Sequence, residues 1–236
     1  GIIKAKSKVK KYISDNNIDI VHTQGIRADG LIRKINIPSV TTLRNYPRND
    51  YPSKFGRLKG YLMVWSHMRS IKLNKNNCIG CSKSIADNFL NDDIKLKYIQ
   101  NGVDMEKYYP LSEKDKIELR NKKNINPEGR IYITVGSLIP RKNIKTIVHG
   151  FNLLNDKNSL LLVVGDGTEK KELQLISTKN VRFIGNVDNV VEYLQVSDCF
   201  ISASLAEGLP NTVLEAIACG LPAILSTSLL TEIFSL

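Results

Sequence analysis

Short apolar segments alternate with longer amphipathic stretches along the chain, most regularly in its second half. Apolar runs bounded by turn residues are typical of buried strands, and apolar residues at helical spacing are typical of helices. The strands predicted in this half are Ile131–Val135, Leu160–Val164, Val181–Ile184, Cys199–Ala203 and Pro222–Leu225. The helices predicted between them are Lys142–Leu154, Glu169–Ile176, Val187–Val196 and Asn211–Cys219. This alternation predicts a parallel, doubly wound sheet.

The first half alternates in the same way, with shorter strands. Its predicted strands are Asp19–His22, Ser39–Leu43, Cys78–Cys81 and Lys97–Ile99. Its predicted helices are Ile3–Asn17, Ile26–Ile35, Tyr61–Leu73 and Lys83–Leu90. Residues Arg44–Gly60 contain two prolines, aromatic residues and several charges, and are predicted to form a loop. The chain is therefore predicted to be α/β, with two Rossmann-like, doubly wound domains.

A polar, lysine-rich stretch separates the two halves and follows the turn signal Asn101–Asp104. We place the domains there: a first domain at 1–110, a linker at 111–129 and a second domain at 130–236. The chain begins in a helix, whereas a doubly wound domain normally begins with a strand. It ends within a predicted helix over Ser228–Leu236. We therefore expect a chain truncated at both ends, with an incomplete first domain.

Composition excludes several classes of protein. The chain has no run of 18 apolar residues, so no membrane-spanning helix is expected. Cys78 and Cys81 have the spacing of a redox or zinc motif. However, the three histidines are scattered and Cys78 falls within a predicted strand, so we interpret both cysteines as core thiols. This predicts a reducing, cytoplasmic setting.

The positive charge lies in the first half. Residues 1–130 carry 26 Lys and Arg against 13 Asp and Glu, whereas residues 131–236 carry 8 against 10. An anionic lipid surface, a phosphorylated substrate or nucleic acid would suit the basic half, and so would a solvated lysine-rich face. No nucleic-acid-binding motif or aromatic stacking platform is recognisable, so no nucleic-acid partner is expected.

Three loops at predicted strand ends carry candidate chemistry, because ligands of open parallel sheets bind at the carboxyl ends of the strands. In the first, a strand ends at Gly136, and Arg141 and Lys142 lie where the next helix is predicted to start. Cations there oppose the helix dipole, which favours an anion held between them and the backbone amides. The alternative is a solvated pair of cations.

The second loop contains Gly165 and Gly167 after an apolar strand. Glycines allow a tight turn and close approach of a ligand. The full G-x-G-x-x-G pattern is absent, which argues against a nicotinamide-dependent oxidoreductase.

The third loop runs from Glu207 through a glycine turn and Pro210 to a helix that contains Glu215. Backbone amides at the start of that helix suit a phosphate group. A carboxylate one turn into the helix can accept hydrogen bonds from sugar hydroxyls.

Glu207 and Glu215 form an E-x7-E motif, and the second half resembles the retaining glycosyltransferases of family four, which have the GT-B fold. The stretches that carry this resemblance are ITVGSLIPRKN, LLVVGDG, VRFIGNV, SDCFISASLAEGLPNTVLEAIACGLPAI and the final TEI. The first half resembles the acceptor-side domain of the same family through DIVHTQG, IPSVTT, CIGCSKSIADNF and YIQNGVDMEKYYP.

The resemblance implies a role for each candidate residue. Glu207 would hold a hydroxyl of the donor sugar, Glu215 would bind the ribose, and Lys142 would neutralise the leaving diphosphate. The other implied donor-binding positions are Gly136, Arg141, Gly165, Gly167, Gly185, Val187, Gly208, Leu209, Asn211, Thr212 and Val213. Among them, Gly208 and Leu209 would face the sugar, Asn211 to Val213 would cap the diphosphate, and Gly185 to Val187 would line the nucleobase pocket.

Two positions depart from the family pattern. Ser137 stands where the family usually has an arginine, and Arg141 is the candidate to supply that charge. The first-half motif often carries two histidines, but here Gln24 occupies the second position. His22 is therefore the histidine of that motif and a candidate catalytic residue.

The resemblance implies transfer of a sugar from a nucleoside-diphosphate sugar to a hydroxyl acceptor, with retention of anomeric configuration. No metal or other cofactor is expected, since cations and a helix start would stabilise the leaving group. The expected partners are a nucleotide-sugar donor and a glycan or lipid-linked acceptor of bacterial surface polysaccharide or glycolipid assembly. The expected location is cytoplasmic, and peripheral contact with the inner, anionic membrane surface is a further expectation. The alternative is a catalytically inactive nucleotide-sugar-binding fragment.

Overall fold

The computed structural model describes residues 2–126, 128–205, 207, 210–227 and 229. The chain divides into two compact units. The first contains residues 2–101 together with 207, and the second contains residues 102–205 together with 210–227 and 229.

The first unit is built on a four-stranded parallel sheet with strand order β1-β2-β3-β4. Its strands are Val21–Thr23 (β1), Ser39–Leu43 (β2), Cys78–Gly80 (β3) and Lys97–Tyr98 (β4). Its α-helices are Ile2–Asp15 (α1), Ile26–Ile32 (α2), Pro47–Phe55 (α3), Arg57–Leu73 (α4) and Lys83–Asn88 (α5). Two 3₁₀ turns, Lys75–Asn77 and Phe89–Asp92, complete it.

The loop predicted over Arg44–Gly60 is wrong, because α3 and the start of α4 occupy it. Pro47 lies at the start of α3, where a missing N–H costs nothing. Gly56 separates the two helices with φ +77°. A Cβ on Gly60 would lie 2.6 Å from Cα of Pro52, so this glycine lets α4 pack directly on α3. Residues that looked like helix breakers are thus the contacts between two helices.

The second unit is built on a five-stranded parallel sheet with strand order β7-β6-β5-β8-β9. Its strands are Arg130–Val135 (β5), Ser159–Val164 (β6), Val181–Gly185 (β7), Cys199–Ser202 (β8) and Ala223–Leu225 (β9). Its α-helices are Glu113–Lys122 (α6), Ile144–Leu154 (α7), Lys170–Ile176 (α8), Val190–Gln195 (α9) and Asn211–Ala218 (α10). The predicted helix over Ser228–Leu236 lies outside the described residues except for position 229.

Both faces of the second sheet are covered. Successive residues of a strand point to opposite faces, and Leu161, Leu162 and Val163 of β6 are all completely buried. Leu161 and Val163 pack in one core with α7 and α8, while Leu162 is buried on the other face. The predicted α/β class with parallel, doubly wound sheets is therefore confirmed.

Helix α6 occupies half of residues 111–129, the stretch predicted as a linker. The buried Arg120 donates from Nε to the carbonyl of Val196 at 2.8 Å and from Nη2 to Asp198 at 2.7 Å. Asp198 also accepts from Lys116 at 2.6 Å and from the amide of Ile131 at 2.7 Å. Burial raises the pKa of Asp198, but these donors outweigh it and hold the pKa below its ordinary value. The helix is thereby fixed to the second unit.

The cysteines Cys78 and Cys81 are both buried and not disulfide-bonded. Burial raises the pKa of the Cys78 thiol to about 11, as in an unreactive core residue. Among the described residues, no helix is long and apolar enough to cross a membrane.

Candidate functional site

Three glycines meet at the carboxyl edge of the second sheet. The amide of Gly136 donates to the carbonyl of Val164 at 3.0 Å, and that of Gly165 donates to the carbonyl of Gly185 at 2.8 Å. A Cβ on Gly165 would lie only 2.0 Å from the carbonyl oxygen of Gly136, and φ at Gly165 is +130°. Only glycine fits there, so the ends of β5, β6 and β7 form one close-packed backbone surface.

Close backbone packing also requires a glycine at position 167. The amide of the completely buried Leu138 donates to the carbonyl of Asp166 at 2.9 Å. A Cβ on Gly167 would lie 2.3 Å from the carbonyl oxygen of Leu138. The second loop predicted from sequence is therefore held against the first, and its glycines are required for that packing whether or not a ligand approaches.

Lys142 crosses this glycine surface. Its Cε and Nζ lie 3.4 and 3.6 Å from the position that a Cβ on Gly136 would occupy. Arg141 and Lys142 belong to the 3₁₀ turn Pro140–Lys142, and Asn143, at φ +52°, separates that turn from α7. Arg141 and Lys142 thus lie three and two positions before Ile144, the first residue of α7. The Lys142 ammonium lies over the sheet edge.

The loop after β8 is tied to the same turn. The amide of Leu205 donates to the carbonyl of Arg141 at 2.9 Å, and Asn143 donates from Nδ2 to the carbonyl of Ala203 at 3.3 Å. The loops that follow β5 and β8, two adjacent strands, are therefore hydrogen-bonded to each other. Val187, which follows β7, is half-buried.

Helix α10 begins at Asn211 directly after Pro210, as the sequence predicts. Thr212 is half-buried and Val213 is completely buried. The amide of Val213 already donates to the carbonyl of Pro210 at 3.1 Å. Of the three residues predicted to cap a diphosphate, Val213 therefore contributes packing, and its amide has a partner within the chain.

Glu215 lies on α10 and is half-buried. Burial raises the pKa of its carboxyl group, and interactions with the Tyr108 hydroxyl and with Lys107 partly oppose that rise. Tyr108, itself buried, is a neighbour that the sequence analysis did not single out. Glu207 follows β8 and is half-buried, whereas Gly208 and Leu209 lie outside the described residues.

In the first unit, His22 on β1 is exposed. Its Nε2 is hydrogen-bonded to Oγ1 of Thr42 on β2 at 2.7 Å. Gln24, at the second position of that motif, accepts from Arg44 Nη1 at 3.4 Å. Gln24 and Arg44 both line an open pocket of about 710 Å³ at the carboxyl ends of β1 and β2.

Two residues that line this pocket, Tyr51 and His67, belong to a buried chain of hydrogen bonds. The Tyr51 hydroxyl lies 2.6 Å from Nδ1 of His67, and Nε2 of His67 lies 3.0 Å from Oδ2 of Asp29. Asp29 and His67 are each only 4% exposed. The three residues come from α3, α4 and α2. Sequence analysis missed them because no sequence spacing connects residues 29, 51 and 67.

Among the described residues, no cluster of three or more His, Cys, Asp or Glu is arranged to hold a metal ion.

Comparison with known proteins matches both units to one family. The family model of group 1 glycosyl transferases matches residues 115–231, and that of Glycosyltransferase Family 4 matches residues 2–107. The chain belongs to the group 1 glycosyltransferases of family 4. The resemblance inferred from the motifs is therefore confirmed.

Two curated relatives align with nearly the whole chain. An uncharacterized glycosyltransferase of Methanocaldococcus jannaschii is 29% identical over 94% of this chain and 59% of its own length. The O-antigen biosynthesis glycosyltransferase WclY of Escherichia coli is 28% identical over 95% of this chain and 65% of its own length. The chain thus spans about three fifths of the length of these relatives.

Solved structures show the same fold. Sucrose-phosphate synthase from Thermosynechococcus elongatus matches with a TM-score of 0.79 at 18% identity, over 96% of this chain and 60% of its own. HepE of Anabaena, in complex with UDP and glucose, matches with a TM-score of 0.75 at 19% identity, over 98% of this chain and 64% of its own. The GT-B fold predicted from the resemblance is confirmed.

Proposed function

We propose that this protein transfers a sugar from a nucleoside-diphosphate sugar to a hydroxyl acceptor, with retention of anomeric configuration. The observation that carries the proposal is the Lys142 side chain lying over the glycine edge of the second sheet. A cation above close-packed backbone, at the carboxyl ends of parallel strands, is suited to a diphosphate. Membership of the glycosyltransferase family supplies the reaction class.

The proposed chemistry follows from charge. Negative charge grows on the diphosphate as the glycosidic bond breaks, so Lys142 and Arg141 stabilise the transition state more than the ground state. The amides that begin α10 add to this field. Glu207 accepts a hydrogen bond from the donor sugar and Glu215 accepts from the ribose. With these cations at the leaving group, we propose that the reaction needs no metal ion.

We further propose a role in bacterial surface polysaccharide or glycolipid assembly. The similarity to WclY, named for O-antigen biosynthesis, supports this assignment. The acceptor would then be a glycan or a lipid-linked glycan presented at the cytoplasmic face of a membrane.

Helix α4 supplies a candidate membrane-contacting face. Its sequence has four basic residues and no acidic residue. Leu58, Leu62 and Trp65 are 83%, 64% and 66% exposed, and successive spacings of four and three place them on one side of the helix. Arg69 lies over the Trp65 ring at 5.9 Å. Exposed Leu and Trp beside Lys and Arg are typical of helices that lie in an anionic lipid interface.

Vesicle co-sedimentation tests this face. We expect binding to phosphatidylcholine vesicles that contain phosphatidylglycerol, and much weaker binding to phosphatidylcholine alone. The variant Leu58→Ser/Leu62→Ser/Trp65→Ser should lose the binding. Leu153→Ser is the matched control, because Leu153 is 85% exposed on α7 of the second unit. Equal losses in the triple variant and the control would contradict the assignment.

Calorimetry and a transfer assay on one sample test the main proposal. We expect one of UDP, GDP, ADP, CDP or TDP to bind, and the corresponding nucleotide sugar to lose its sugar to an acceptor without added metal. Binding of the nucleotide sugar without turnover would favour the inactive-fragment alternative. No binding of any nucleotide would contradict both functions.

A further inference from the structure

The pocket of the first unit has its own chemistry, separate from the glycine edge of the second. Its boundaries are the residues that follow β1 and β2 and the facing sides of α3 and α4. Its volume, about 710 Å³, is in the range of small-molecule sites. No residue predicted from sequence to bind the donor lines it.

The lining of this pocket is strongly basic. Arg27, Arg44, Lys54 and Lys59 contribute four positive charges. Among the described lining residues, Asp50 is the one carboxylate, and it accepts a hydrogen bond from Lys54 at 2.9 Å. Three positive charges therefore have no acidic residue in the pocket wall to balance them. Several cations around one cavity are suited to phosphate or diphosphate oxygens.

Part of the remaining lining is apolar. Ile26, Leu43, Phe55 and Met63 also line the pocket. The Lys59 ammonium lies 5.5 Å from the centre of the Phe55 ring, so charged and apolar surfaces are directly adjacent. A small hydrophilic anion would leave this apolar surface exposed to water. An amphipathic molecule, anionic at one end and apolar beside it, would cover both.

Tyr51 and His67 form a polar part of the pocket wall, and Asp29 is hydrogen-bonded to His67. Burial raises the pKa of the Tyr51 phenol, which keeps its proton in place. Both ring nitrogens of His67 have partners at 2.6 and 3.0 Å, which holds the phenol in one position. In the tautomer in which Nε2 of His67 donates to Asp29, Nδ1 accepts from the Tyr51 hydroxyl.

We propose that this pocket binds the phosphate or diphosphate group of an amphipathic acceptor, with Arg44 and Lys59 contacting its oxygens. That the ligand is the sugar acceptor depends on the proposed glycosyl transfer, whereas the binding of an anion depends on the pocket alone. The apolar lining contacts the part of the molecule next to the phosphate. Lys59 and Met63 lie on α4 beside the exposed Leu62, so a lipid held by this pocket would enter from the side that bears the proposed membrane face.

Titration calorimetry of the full chain with farnesyl diphosphate, inorganic pyrophosphate and farnesol tests this proposal. We expect farnesyl diphosphate to bind more tightly than the other two. The Arg44→Ala/Lys59→Ala variant should bind it at least about tenfold more weakly, as expected for lost charge-assisted hydrogen bonds. Lys11→Ala, which removes a cation whose side chain is 79% exposed in the same unit, is the matched control and should not change the affinity.

Lys142→Ala separates the two sites. It should leave farnesyl diphosphate affinity unchanged while weakening nucleotide binding. Loss of farnesyl diphosphate binding in this variant, with none in Arg44→Ala/Lys59→Ala, would place the ligand at the donor edge and overturn the proposal. Farnesol binding as tightly as farnesyl diphosphate would also overturn it. Pyrophosphate binding equally tightly, with the same sensitivity to Arg44 and Lys59, would overturn the amphipathic ligand and leave a phosphate site for a non-lipid molecule.

The two proposals fail in different ways. If no nucleotide binds but farnesyl diphosphate binds through Arg44 and Lys59, glycosyl transfer is wrong and the phosphate pocket stands. If nucleotides bind through Lys142 but the double variant binds farnesyl diphosphate normally, the donor site stands and the phosphate pocket is wrong. Circular dichroism of each variant excludes unfolding as the cause of a lost affinity.

Discussion

Lys142 lies across Gly136, with its Nζ 3.6 Å from the place where a side chain at position 136 would begin. A Cβ at position 136 would be in van der Waals contact with Cε and Nζ of Lys142, so the lysine side chain passes directly over this glycine. This relationship gives Lys142 a defined position even though the residue is half-buried and long-chained.

Lys142→Ala should therefore weaken nucleoside-diphosphate binding by about 1.5–3 kcal/mol, the usual scale of a charge-assisted hydrogen bond. Lys145→Ala removes a nearby cation on α7 whose partner is Glu172, and should leave the affinity unchanged. Calorimetric titration at low salt measures both. Equal affinities for wild type and Lys142→Ala would mean that this cation does not contact the diphosphate.

Gly165→Ala tests the close packing of the glycine edge. The new Cβ would lie 2.0 Å from the carbonyl oxygen of Gly136, and φ +130° is strained for alanine. We expect a loss in the free energy of unfolding of at least about 2 kcal/mol, measured by urea titration. Gly150→Ala on α7 is the control, because nothing lies within 4 Å of its Cβ. It should raise stability by up to about 1 kcal/mol. Similar effects of the two substitutions would contradict this packing.

Much of the fold could be predicted because the strands of the second unit are short and mainly apolar, and the centre of β6 is a continuous apolar run. Leu161, Leu162 and Val163 are all buried, on both faces of the sheet. A short continuous apolar run of this kind is typical of a strand in a parallel sheet with both faces covered. Arg44–Gly60 was mispredicted because Pro52 and Gly60 are breakers by local propensity. Their helical role depends on contact between two helices, which local propensity does not describe.

The candidate site was predictable where one loop carries its chemistry, as with Gly136 and Lys142. The chain of Asp29, Tyr51 and His67 was not, since tertiary packing of three helices brings it together. In the sequence, nothing distinguishes these three residues of α2, α3 and α4. Only the folded structure connects them, through hydrogen bonds of 2.6 and 3.0 Å.

Asp198 gives a prediction about pH. Its folded-state pKa is lowered, so its contribution to stability is complete above the unfolded value of about 3.9 and is lost as pH falls through the folded value. Asp198→Asn should lower the free energy of unfolding by about 1–3 kcal/mol at pH 7, because Lys116, Arg120 and the Ile131 amide lose an ionised acceptor.

Urea titrations across pH check this prediction for Asp198. The difference between wild type and Asp198→Asn should be constant from pH 7 to about 5 and should shrink below about 4. Asp15→Asn, in an exposed pair with Lys11 at 4.0 Å, is the control and should have little effect at any pH. If the stability difference between wild type and Asp198→Asn grew as the pH fell, ionised Asp198 would not be the stabilising group.

The E-x7-E glutamates should separate nucleotide from sugar recognition. Glu215 should matter for any nucleotide of the right base, because its proposed partner is the ribose. Glu207 should matter only when the sugar is attached. Glu215→Ala should therefore weaken binding of both the free nucleoside diphosphate and the nucleotide sugar, whereas Glu207→Ala should weaken only the nucleotide sugar and should slow transfer. Each lost hydrogen bond should cost about 1–3 kcal/mol.

A pair of calorimetric titrations for each glutamate variant, with the free nucleotide and with the nucleotide sugar, measures these four affinities. The half-buried Glu215 interacts with Tyr108 and Lys107, so its removal also changes the protein around it. Glu215→Gln keeps the shape of the side chain and is the matched variant for that effect. If both glutamates changed free-nucleotide binding equally, the division of roles would be wrong. If neither changed either affinity in a folded protein, the motif would be a structural helix start.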